Sequence, residues 1–189
     1  SLEPQEGINS YDLADDQVNS LKADGMNVMS LLPPYPSSEW ASPAPEWVAD
    51  IHLRARTSYM PAVPSKLYVF IDNVVNRYKD RINVWEVCNE PLYTITALPN
   101  ANVSAQYGLP DADYTVADYF SLLQSAYTTM KSQDPDCLVI GGFSAEPTQY
   151  ASELIQLGGL NYLDIYNVHR YGGEDTGDGP GRTPPEEFI

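Results

Sequence analysis

The chain has 189 residues, 43% of them apolar, enough for one domain with its own core. Ten lysines and arginines stand against 26 aspartates and glutamates, and the resulting formal charge of -16 repels phosphate backbones and anionic lipid surfaces. This argues against nucleic acid as a partner. No apolar run reaches the roughly 20 residues a membrane helix needs, and the opening SLEPQEGINSYD has no basic-then-apolar targeting pattern.

In chain order, residues 10 to 24 place Ala14, Val18 and Leu21 at helical spacing and stop at Gly25. Met26 to Leu32 reads as a strand ended by Pro33 and Pro34. From Ser65, a stripe of Leu67, Phe70, Ile71, Val74, Val75 and Tyr78 predicts a second helix, and Ile82 to Cys88 the next strand. Thr115 caps a third helix with Tyr119, Leu122, Leu123, Ala126 and Met130 turned inward, stopped by Asp134-Pro135-Asp136. Cys137 to Ser144 is its strand. Thr148 to Leu157 and Leu163 to Tyr171 make a last helix and strand pair. Cys88 and Cys137 lie near opposite ends of their strands, which predicts free, buried thiols rather than a bridge.

Alternation of helix and strand predicts a parallel sheet, either an open doubly wound sheet or a closed eight-stranded barrel. Polar and aromatic residues collect where strands end and long loops begin, at 33 to 64, 91 to 114 and 171 to 182. Barrel active sites are assembled in that way. No glycine-rich phosphate loop follows any strand, which disfavours a nucleotide-binding sheet.

The stretch WEVCNEP, residues 85 to 91, ends an apolar strand on a carboxylate. Such a group is costly to bury unless something uses it. Strand alternation puts Ile82, Val84, Glu86, Cys88 and Glu90 on one face and Trp85 and Val87 on the other. With Trp85 and Val87 under helices, Glu90 faces the barrel mouth as a candidate general acid, beside Asn89 as a hydroxyl ligand. The spacing fits equally a loop start whose glutamate caps a neighbouring helix. Glu86, deeper in the strand, is expected to pair with Arg54, Arg56, Arg77 or Arg81. On the last strand Asn167, His169 and Tyr171 share a face, a polar triple in which each group needs a partner or a ligand.

WEVCNEP resembles the fourth-strand acid/base motif of the clan A glycoside hydrolases, and His169-Arg170-Tyr171 resembles their sixth-strand His-x-Tyr. Glu3-Pro4-Gln5-Glu6-Gly7 with Tyr11 and Asp12 is similar to the run after their second strand, and Pro36 to Ser42, with Trp40, to the loop after the third. VVNRYKDRINVWEVCNEP looks most like family 39 and its relatives. The resemblance implies a (β/α)8 TIM barrel present in part, about strands 3 to 6 with their helices, and makes residues 1–189 an internal stretch of one catalytic domain.

It further implies a retaining glycoside hydrolase acting on a polysaccharide or oligosaccharide. Glu90 would be the general acid/base and Asn89 the binder of a sugar 2-hydroxyl. Trp40 and His169 would contact substrate, and Tyr171 would partner the nucleophile. Retention needs a second carboxylate roughly 5 Å away, which the clan carries on strand seven and which is expected beyond Ile189. Glu146 is the nearest internal substitute but looks like part of an ordinary loop. The acidic loop of Glu174, Asp175 and Asp178 lacks calcium-loop spacing. No metal and no cofactor is required by the chemistry, and secretion is expected by analogy. The alternative is a non-catalytic barrel in which Glu90, Trp40 and Tyr171 only bind sugar.

Overall fold

A computed structural model describes residues 2–144 and 148–169. Its elements follow the predicted alternation. Helix α1 (Asp12–Ala23) leads to strand β1 (Val28–Leu31), α3 (Pro64–Tyr78) to β2 (Ile82–Glu86), α5 (Val116–Gln133) to β3 (Leu138–Ser144), and α6 (Thr148–Gln156) to β4 (Ile165–His169). Between them lie two short helices, α2 (Val48–Ile51) and α4 (Ala101–Tyr107), inside stretches expected to be loops. Helix α5 starts on a full capping box, with the Thr115 N–H donating 2.8 Å to the Asp118 carboxylate.

The four strands are parallel and pair in the order β1-β2-β3-β4. Sequential order without a reversal distinguishes a singly wound barrel wall from a doubly wound sheet, which changes direction at a switch point. Paired residues of adjacent strands share a face, and the burial of the rows tells the faces apart. Trp85 and Val139 are register partners and are fully buried with Leu67, Ile71, Val75, Leu122 and Ala126 from α3 and α5. That is the helix-covered outer face. Met29, Val84 and Leu138 form an adjacent row on the opposite, inner face, where Met29 is 54% and Leu138 40% exposed. The architecture is thus a partial (β/α)8 barrel, four strands with their helices on one side.

The loops after β1 and β2 do not hang free. Ala44, Val48, Ala55 and Tyr59 from the first pack with Ile95, Leu109 and Ala112 from the second into a satellite core above the strand ends. Tyr59 donates to the Pro110 carbonyl at 2.8 Å, and the Met60 N–H donates to the Tyr114 hydroxyl at 3.0 Å. Cys88 and Cys137 are both free and buried.

Candidate active site

The predicted pleat from Ile82 through Glu90 stops at Glu86, where β2 ends. The chain then leaves the sheet under restraint from both neighbours. The Val87 N–H donates to the Ile140 carbonyl at 2.9 Å, and the Cys88 N–H to the Pro33 carbonyl at 3.1 Å. Cys88 (φ 67°) and Glu90 (φ 49°) both adopt left-handed backbone, which costs a non-glycine residue about 1 kcal/mol or more. This turn corrects the simple alternation. Cys88 enters the core, where burial pushes its thiol up to about 12, while Glu90 is brought against the last strand.

There Glu90 meets His169. The imidazole sits between two carboxylates, with Nδ1 3.1 Å from Glu90 Oε1 and Nε2 3.4 Å from Glu86 Oε1. Asn167, two residues earlier on the same face of β4, donates its amide to Glu86 Oε1 and lies 2.9 Å from His169 Nε2. The Glu90 and Glu86 side chains are 14% and 11% exposed, and that of His169 27%. Glu86 was expected to pair with an arginine. Its partners are instead Asn167 and His169, because the arginines are engaged elsewhere: Arg54 with Tyr35, Arg56 with Glu39, Arg77 with Asp15 and Arg81 with Asn19.

The two amide hydrogens of Asn167 go to Glu86 and to His169 Nε2, so Nδ1 carries the ring hydrogen and donates it to the Glu90 carboxylate. Asn167 thus sets the tautomer of the imidazole and aims its N–H at Glu90.

The cluster is held by close backbone contacts that the sequence pattern did not single out. Tyr119, read as a core residue of α5, donates its hydroxyl to the Val87 carbonyl at 3.4 Å and accepts the Gly142 N–H at 2.9 Å. It ties the exit of β2 to the middle of β3, and its burial raises the phenol well above its usual range. Gly142 pairs with Asn167, and a Cβ at Gly142 would lie 2.2 Å from the Asn167 carbonyl oxygen. Only glycine lets β4 approach closely enough to present Asn167 and His169.

The remaining predicted residues fall in different places. Asn89 is half-buried between Cys88 and Glu90. Trp40 donates its indole N–H to the Glu3 carbonyl at 3.1 Å and lies under the Lys66 ammonium, 5.6 Å from its ring. It lines a cavity of about 730 Å3 between α1 and the start of the β1 loop, whose walls do not include Glu90, Asn89 or His169. Tyr171, Glu146 and the acidic loop of Glu174, Asp175 and Asp178 lie outside the described residues.

With the fold and this geometry in place, the model of glycosyl hydrolase family 10 matches residues 1–150. The chain belongs to glycosyl hydrolase family 10. This corrects the expected likeness to family 39 and keeps the clan-level assignment, since the family model that covers most of the chain is that of family 10. The chain is 27% identical over 154 residues to endo-1,4-beta-xylanase C of Paenibacillus barcinonensis, covering 77% of this chain and 13% of that protein.

Among solved structures it superposes on a psychrophilic family 10 endo-beta-1,4-xylanase with a TM-score of 0.55 and 20% identity, covering 90% of this chain and 53% of that one. The beta-galactosidase of the psychrophilic Marinomonas ef1 gives a TM-score of 0.58 at 12% identity, covering 90% of this chain and 34% of that one. At these identities the structural matches carry the fold alone. The chain spans about half the length, 53%, of the family 10 xylanase structure. Among the described residues no helix is long and apolar enough to cross a membrane.

Proposed function

We propose that this segment forms the acid/base half of a retaining glycoside hydrolase that cuts a polysaccharide, with β-1,4-linked xylan as the substrate class. The observation that carries the reading is the contact of Glu90 with His169 Nδ1 at 3.1 Å, at the C-terminal ends of β2 and β4 in a family 10 barrel wall. Glu90 protonates the glycosidic oxygen as the bond breaks, then removes a proton from the water that releases the sugar. Asn89 binds a hydroxyl of the sugar ring next to the cleaved bond. Glu86 and Asn167 hold the imidazole of His169 so that its Nδ1–H faces Glu90. The attacking carboxylate is taken to be a glutamate on a later barrel strand. Xylan is too large to enter a cell, so such an enzyme works outside it.

The test is proton NMR of the first products released from xylo-oligosaccharides by the full-length enzyme that carries this segment together with the later strands. Retention predicts that the β-anomer of the new reducing end appears first and mutarotates afterwards. An initial α-anomer contradicts the mechanism, and tight binding without hydrolysis favours the sugar-binding alternative.

A further inference from the structure

On the outer side of the barrel wall, away from Glu90, helices α1 and α3 enclose a polar depression of about 480 Å3. Its floor is built from charged groups already fixed in place. Arg77 of α3 makes a two-pronged contact with Asp15 of α1, through Nε at 3.1 Å and through its second amino group, and lies 4.6 Å over the Tyr11 ring. Arg81, one turn on, donates to Asn19 at 2.8 Å and to the Arg77 carbonyl at 3.0 Å, and stacks 4.8 Å over Tyr78. Among the side chains that line it, two guanidinium groups stand against one carboxylate, in a chain whose formal total is -16.

The rim is supplied by carboxamides. Asn73 and Asn76 are exposed on α3, Asn9 is exposed on the segment before α1, and all three line the same depression. A carboxamide offers two donors and an acceptor, which suits vicinal hydroxyl groups. A planar guanidinium held rigid by its own partners suits a carboxylate.

The geometry points to a surface site for an acidic sugar, a hexuronate whose hydroxyls meet the asparagine carboxamides and whose carboxylate faces the Arg77–Arg81 pair. Nothing in it uses Glu90 or the barrel mouth, so it stands independently of the catalytic proposal. A chain of strongly negative charge would otherwise repel an acidic polysaccharide. A depression lined by two guanidinium groups and by hydroxyl-matching carboxamides gives such a polymer a place to rest.

The experiment is a titration of the isotope-labelled protein with glucuronate, glucose and acetate, reading the side-chain amide signals of Asn73 and Asn76. Glucuronate is expected to shift both signals, binding about threefold tighter than glucose, which has the hydroxyls but not the charge. Acetate, which has the charge but not the hydroxyls, is expected to bind more weakly than glucuronate. Asn73→Asp and Asn76→Asp, both at exposed helix positions, place a negative charge at the rim and should each weaken glucuronate about threefold with the far-UV spectrum unchanged. Equal response to glucuronate and glucose overturns the acidic-sugar assignment, as does acetate binding as tightly as glucuronate. Absence of any shift, or variants that bind like the parent, overturns the site.

Discussion

Glu90 reaches His169 through a turn rather than along a strand, and this explains what could be read of it beforehand. What stood out in the sequence was a carboxylate after a buried run, a spacing that fits a general acid and a helix cap equally, and an Asn167, His169 pair on one face of β4 that asked for partners. The geometry of the turn was not legible. Left-handed backbone at Cys88 and Glu90 carries no sequence signature, since neither is glycine or asparagine. Glu86 was assigned an arginine because buried carboxylates are usually paired with cations. The neutral amide of Asn167 and the imidazole do that work here. Asn167→Ala removes the amide from both Glu86 and His169 Nε2 and lets the imidazole rotate. We expect kcat to fall between about tenfold and a hundredfold with KM little changed, since the loss is one of positioning. Steady-state kinetics on xylo-oligosaccharides checks this, and a change confined to KM would show that Asn167 serves binding instead.

At the scale of elements, the long periodic segments were legible because their apolar stripes are several turns long. Thr115 marks the start of α5, and the segment from Ser65 to Tyr78 marks α3 to within a residue. Helices α2 and α4, of 4 and 7 residues, hid inside the loops because so few turns show no period. Packing rather than propensity stabilises them, in the satellite core formed with Tyr59 and Ile95. Tyr119 was visible as a core position, but its hydroxyl was not visible as a tie between β2 and β3. Tyr119→Phe leaves the Val87 carbonyl and the Gly142 N–H buried without that partner. Denaturant unfolding is expected to show a loss of about 1–3 kcal/mol, accompanied by reduced kcat because the Glu90 turn and β4 lose their common anchor. Unchanged stability would mean that water or a shifted side chain replaces the hydroxyl.

Across the whole molecule, strand order carries the architecture. Four parallel strands in sequential order, helices on one face and a half-exposed apolar row on the other are what one wall of a closed barrel presents to its own interior. Alternation in the sequence predicted the parallel sheet but not its curvature, because both candidate folds share the same period. The choice came from where polar residues gather, and the pairing order bears it out. Two carboxylates and an imidazole meet at the strand ends only because β2, β3 and β4 lie side by side there, Glu86 opposite Ile140 and Ile140 opposite Ile165.

The central claim, that Glu90 moves the proton, is tested most directly by Glu90→Gln assayed on two substrates of the same sugar. One carries a poor leaving group, a xylo-oligosaccharide, and the other an activated aryl leaving group that departs without protonation. The account predicts a fall in kcat/KM of about a hundredfold or more on the oligosaccharide and a much smaller fall on the aryl glycoside. An equal loss on both, or no loss on the oligosaccharide, would contradict it.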